Sequence, residues 1–157
     1  DADRCPTGRL HRRAEPMGEG EFHLVVYAWI RGGDGRYLLT KRSPNKGYPN
    51  MWECTGGSAL TGDDSLTAAL REVREETGLR LDPMRGRHVA SHKVTGRFED
   101  VWLFERDVAL DELTLQEGET CGAMLARADE ILELQREGRM APTGSFELAE
   151  LLKLMEG

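Results

Sequence analysis

The stretch Gly56 to Leu79, GGSALTGDDSLTAALREVREETGL, restricts what this chain can fold into more than any other part of it. A double glycine makes a tight turn, and from Leu66 onward the apolar residues Leu66, Ala69, Leu70 and Val73 recur at i, i+3, i+4 and i+7. That rhythm is a helix with one face to bury. Ser65 or Asp64 is the N-cap, and Gly78 stands where a helix stops in a left-handed residue. The opposite face carries Glu72, Glu75 and Glu76. At spacings of three and four these carboxylates repel one another, and they sit toward the C-terminal end, where the helix dipole also disfavours them. A divalent cation would turn this penalty into an attraction, and hard oxygen donors select Mg²⁺ or Mn²⁺.

The helix needs an apolar layer to lie on, and the flanking segments supply one. Phe22 to Ile30 (FHLVVYAWI) is β-branched and aromatic and reads as a central strand. A turn at Gly32 to Gly35 returns the chain as Arg36 to Arg42. The loop Ser43 to Asn50 is broken by Pro44 and Pro49, and Met51 to Thr55 is a short strand into the double glycine. Beyond the acidic helix, Gly86 to Thr95 and Phe98 to Asp107 pair around Gly96, and Thr120 to Ala126 is a further strand. Ala128 to Arg136 is helical, with Ile131, Leu132 and Gln135 on related faces. A last helix capped by Ser145 carries Phe146, Ala149, Leu152 and Met155. The expectation is one α+β domain over residues 1–157, a mixed β-sheet flanked by helices. Residues 1–21, with the basic cluster Arg9, His11, Arg12 and Arg13, form a hairpin or an arm.

The chain's 157 residues suffice for one domain with a real core, and its net charge of −7 leaves no basic surplus for a nucleic-acid backbone or an anionic membrane. A small phosphorylated substrate remains compatible. Cys5, Cys54 and Cys121 are widely spaced and make no CxxC, so neither a zinc knuckle nor a disulfide framework is expected. The apolar run Leu24 to Ile30 is too short to span a bilayer, no signal-peptide pattern opens the chain, and a reducing cytoplasmic setting follows. His88 and His92, four apart in one strand, share a face but lack a third ligand for zinc.

The sequence resembles the Nudix hydrolase signature: Gly, five residues, Glu, seven residues, then Arg-Glu-apolar-x-Glu-Glu-x-Gly-apolar. Here it reads Gly57, Asp63, then Arg71-Glu72-Val73-Arg74-Glu75-Glu76-Thr77-Gly78-Leu79, with Asp63 the single departure. The resemblance implies an α/β/α sandwich that hydrolyses organic diphosphates with Mg²⁺. It assigns Glu72, Glu75 and Glu76 to the metal, with the Gly56 carbonyl as a further ligand and Glu72 as an alternative holder of the attacking water. Arg71 would hold the carboxylates by bidentate contact, and Asp63 would support the loop or reach the metal through water. A later carboxylate, Glu119 in preference to Glu117, would complete the catalytic set. Lys41, Arg42 and Trp52, close to the signature, are the candidate substrate contacts, while Trp29 and Trp102 read as core.

The segments TGRLHRRAEPMGEGEFHLVVYAWI and YLLTKRSPNKGYPNMWECTGG also resemble the branch of that family related to isopentenyl-diphosphate isomerase. Those isomerases carry a catalytic Cys immediately before the first signature Gly, where this chain has Gly56. Cys54 lies two residues earlier, a displacement of about 6–7 Å along a strand. Diphosphate hydrolysis is therefore the expectation, with isomerase-like chemistry and a weakly catalytic nucleotide-binding module as alternatives. The expected partner is a small phosphorylated molecule, and the chain is expected to be a monomer or homodimer.

Overall fold

The computed structural model describes residues 1–12 and 15–157; Arg13, one member of the basic cluster, lies outside them. Its centre is β1 (His23–Arg31), which runs parallel to β6 (Arg97–Glu105), from His23 opposite Arg97 to Arg31 opposite Glu105. Burial on both faces explains the nearly unbroken apolar composition of β1. The other edge of β1 is shared: β4 (Thr55–Ser58) pairs with Val25 to Ala28, and β2 (Tyr37–Arg42) joins at Arg31. β3 (Trp52–Glu53) and β7 (Thr120–Ala126) pair with β2, and β5 (Gly86–Val94) pairs with β6, completing a mixed sheet of seven strands.

Helix α1 (Ser65–Thr77) covers one face of the sheet, where Ala68, Ala69 and Val73 pack on Val26, Ala28, Ile30, Leu38 and Phe104. Helices α2 (Ala128–Arg136) and α3 (Leu148–Glu156) cover the other, over Trp29, Tyr37, Leu39, Val101 and Leu103. The expected α+β sandwich is thus the observed architecture. The described residues before His23 contain neither strand nor helix. They form an arm whose Arg4 guanidinium donates to both oxygens of buried Asp100, at 2.9 and 2.6 Å.

Four sequence expectations change at the level of packing. Glu76 is not on the solvent face of α1 but is 7% exposed, because it follows Val73 by three residues and Ala69 by seven. His88 and His92 do not share a face: a register shift between His88 and Ala90 leaves His88 opposite Trp102 and His92 opposite Glu99, and one extra residue in a strand reverses the alternation. In α2 the buried pair is Ile131 and Leu134, while Gln135 is exposed. Glu147, not Ser145, caps α3, accepting from the Ala149 and Glu150 amides, and the buried stripe is Leu148, Leu151, Leu152 and Met155. Ser145 is engaged elsewhere, on Glu99.

Candidate active site

The two glycines of β4 face different neighbours. Gly57 pairs with Val26, and a Cβ added there would lie 2.4–2.6 Å from the Glu72 carboxyl group. Gly56 pairs with Tyr27, and its added Cβ would lie 2.9 Å from the tyrosine ring. The absence of a side chain at Gly57 thus lets the middle of α1 press the Glu72 carboxylate against the strand. The cap that starts α1 is Asp64, whose Oδ1 accepts from the Thr67 amide at 2.7 Å. Ser65 instead accepts from the Trp102 indole at 2.8 Å.

Arg71 is the hub of the acidic face. Its Nε and Nη2 both donate to Asp63 Oδ2, at 3.2 and 3.0 Å, and Nη2 also reaches the Ser58 carbonyl at 3.2 Å. Nη1 donates to Glu72 Oε1 at 3.0 Å and to Glu75 Oε2 at 3.4 Å. The same Asp63 oxygen accepts from the Leu60 amide at 3.0 Å. The shorter acid therefore still closes the loop and orients the arginine, and the guanidinium offsets part of the repulsion among its neighbours.

Glu76 has no such relief. Its Oε2 is buried without a hydrogen-bond partner among the described residues. Burial, then the negative charges of Glu53 and Glu72, push its pKa up to about 8. Glu53, on β3, accepts from Arg42 Nη1 at 2.6 Å. Glu119 is paired with Lys46, while Glu117 is exposed. The loop bearing Glu119 docks on the end of α1: the amides of Thr114 and Gln116 donate to the carbonyls of Thr77 and Glu76, at 2.9 and 3.1 Å. These are the carbonyls that a helix terminus leaves unsatisfied. Among the described residues no three acidic, histidine or cysteine side chains already converge as an ion cage. The groups that could hold one are hard oxygen donors, Glu72, Glu75, Glu76 and the Gly56 carbonyl, and the orphaned Glu76 oxygen fits a hard divalent cation.

A cleft of about 380 Å³ adjoins the double glycine, lined by Tyr27, Arg42, Tyr48, Glu53, Cys54, Gly56, Gly57 and Arg97 among others, with Ala141, Pro142 and Gly144 as one wall. Of the three candidate substrate contacts only Arg42 lines it. Lys41 instead lies over the Trp52 ring, 5.8 Å from its centroid, and Trp52 packs beside the core under α2 and α3. Glu53, Tyr27 and Arg97 were not singled out from the sequence. For Glu53 a signal existed, an acid in the short strand expected directly before the double glycine. Tyr27 and Arg97 are ordinary strand residues until the sheet brings β1 and β6 together.

Residues 21–145 match the family model for the NUDIX domain. The chain belongs to the Nudix hydrolase family. An uncharacterized Nudix hydrolase of Listeria monocytogenes is 38% identical over 138 residues, 87% of this chain and 82% of that protein. A CTP pyrophosphohydrolase of Escherichia coli is 36% identical over 76 residues, 47% of this chain and 55% of its own. The crystal structure of DR0079 from Deinococcus radiodurans superposes with a TM-score of 0.71 at 24% identity, covering 91% of this chain and 88% of that one, which shows the shared fold. The helix that seemed over-charged from sequence is thus the Nudix helix, α1. No helix among its described residues is long and apolar enough to cross a membrane.

Proposed function

We propose that the protein is a Mg²⁺-dependent hydrolase of organic diphosphates, acting on nucleoside di- or triphosphates or their derivatives. The observation that carries this reading is the buried, unpartnered Glu76 oxygen, with Glu53 and Glu72 as charged neighbours, at the end of a helix whose other acids are held by Arg71. An interior carboxylate without a partner is a standing penalty unless a ligand supplies one. A Mg²⁺ or Mn²⁺ ion held there would supply charge neutralisation for the phosphate oxygens and a more acidic water. Glu72, Glu75, Glu76 and the Gly56 carbonyl would hold the ion, and Glu72 would also orient the attacking water. Arg71, oriented by Asp63, holds Glu72 and Glu75 without touching substrate. Arg42, at the cleft edge, meets the phosphates, and Glu119 adds negative charge from the docked loop.

The nucleotide class is supported by the CTP pyrophosphohydrolase among the relatives. Isomerase-like chemistry is disfavoured by Cys54, which is buried at 4% exposure beside the Thr143 hydroxyl, 3.9 Å away, and whose thiol burial holds protonated. The test is release of phosphate or nucleotide from a metal-supplemented panel of phosphorylated metabolites. A chelator should abolish it, and Glu75→Gln and Glu76→Gln should each lower kcat at least about a hundredfold, as expected for loss of a transition-state charge stabiliser. Activity unchanged by both substitutions would sink the proposal. Tight nucleotide binding without turnover across the panel would make the chain a binding module instead.

A further inference from the structure

Strand alternation places Val25, Tyr27, Arg97 and Glu99 on one face of the sheet, since Val25 stands opposite Glu99 and His23 opposite Arg97. Farther along that face α2 and α3 cover Trp29, Val101 and Leu103. Over Glu99 the cover is instead the loop 141–145, and the cleft opens beside it. Glu99 is 0% exposed. Its Oε1 accepts from Arg97 Nε at 2.7 Å, and its Oε2 accepts from the Ser145 amide and hydroxyl at 2.9 and 2.6 Å. Gly144 has φ +54°, and a Cβ there would lie 2.7 Å from Glu99 Oε2, so glycine is what lets the loop close on the carboxylate. One buried acid therefore fixes both a guanidinium and the wall of the cleft.

Arg97 commits only Nε to this contact. Among the described residues its two Nη groups make no hydrogen bond, and its side chain is 40% exposed. The charges around the cleft cancel in pairs, Arg97 with Glu99 and Arg42 with Glu53. A second anionic group on the substrate would meet no net positive charge there. An isoprenoid tail would strip water from Arg97 and Glu53 and return no hydrogen bonds. A neutral planar heterocycle with two adjacent acceptors suits the free fork. Guanine offers N7 and O6, whereas adenine presents a donor at the second position. Tyr27 and Tyr48 add aromatic lining.

We infer that Arg97 is the specificity-determining residue of the cleft, selecting nucleotides with a 6-keto purine base, and that Glu99 is the positioning residue that aims it. The inference rests on the hydrolase reading for the reaction, though not for recognition. The experiment uses the full chain and its Arg97→Ala, Arg97→Lys and Glu99→Gln variants, with GTP, ATP and geranyl diphosphate as probes. Steady-state kinetics with Mg²⁺ is paired with calorimetric titration without metal. GTP should bind best, and Arg97→Ala should weaken it about ten- to a hundredfold, the range for one lost bidentate base contact, with little change for ATP. KM should move and kcat should not. Lysine cannot form the fork and should not rescue. Glu99→Gln keeps the shape and should show the same selective loss. Equal binding of GTP and ATP, tightest binding of geranyl diphosphate, or GTP affinity indifferent to Arg97→Ala overturns the inference. Arg97-dependent GTP binding without turnover of any member of the phosphorylated-metabolite panel upholds it and overturns the hydrolase reading alone.

Discussion

A single missing side chain at Gly57 decides how close Glu72 can come to the strand. The Gly57 backbone has no left-handed φ, so alanine is conformationally allowed there; only the Glu72 carboxyl group, 2.4–2.6 Å from the added Cβ, must move. A glutamate end is flexible, so the fold should tolerate Gly57→Ala with less than about 1 kcal/mol lost in urea unfolding. Catalysis should not. On the proposed role of Glu72, displacing its carboxylate by about an ångström predicts a kcat drop of about a hundredfold, read beside the urea midpoint on one preparation. A stability loss that scaled with the activity loss would contradict this separation. At this scale the signature spacing made Glu72, Glu75, Glu76 and Arg71 legible. It did not show that Glu76 is buried and orphaned while Glu75 is half-exposed on Arg71, because both are simply acids in a helix until the sheet lies under one of them.

The acidic helix is held at both ends by different chemistry. At its start Asp64 caps the Thr67 amide, and Asp64→Ala should cost about 1 kcal/mol, measured as a shift in the urea midpoint without loss of cooperativity. Ser65 and Asp64 were equivalent candidates by sequence; the choice was made by Trp102, which occupies the serine hydroxyl from across the sheet. At its end Gly78 sits at φ 78°, and the loop carrying Thr114 packs within 3.2 Å of where its Cβ would be. Gly78→Ala should therefore cost about 1–2 kcal/mol and also loosen the loop that presents Glu119, lowering activity in parallel. Elsewhere, elements were read to within a residue or two from their periodicity. The exceptions have local causes: the double glycine, expected as a tight turn, is the middle of β4 because it pairs with Val26 and Tyr27 of β1; a bulge in β5 separates His88 from His92; and Ser145 is drawn out of its expected cap by Glu99.

Across the whole molecule, the N-terminal arm is tied to the sheet at Asp100, 1% exposed. Burial alone would raise the pKa of this carboxyl group, but hydrogen bonds from Arg4 and Ser91 outweigh it and hold the value below the ordinary 3.8. A depressed folded-state pKa means stability that is fully present above the unfolded value and lost as pH falls through the folded one. Asp100→Asn should therefore destabilise the protein most above about pH 5, and its deficit against wild type should shrink below about pH 3.8. Urea titrations at pH 7, 5 and 3 give the comparison. A deficit independent of pH would assign the loss to packing rather than to charge.

The amino-acid sequence by itself determined the alternation of strands and helices, the family signature and the identity of the acids on α1, because these depend on periodicity and on spacing within one continuous segment. Tertiary structure alone decided which acid is buried, which of Lys41 and Arg42 reaches the cleft, and that Glu53, Tyr27 and Arg97 line it. Those facts depend on strand pairing and face, on β1 lying parallel to β6 and on β3 pairing with β2, which bring together residues far apart in the chain. A one-residue shift in strand register would turn Tyr27, Glu53 and Arg97 to the other face without altering the signature.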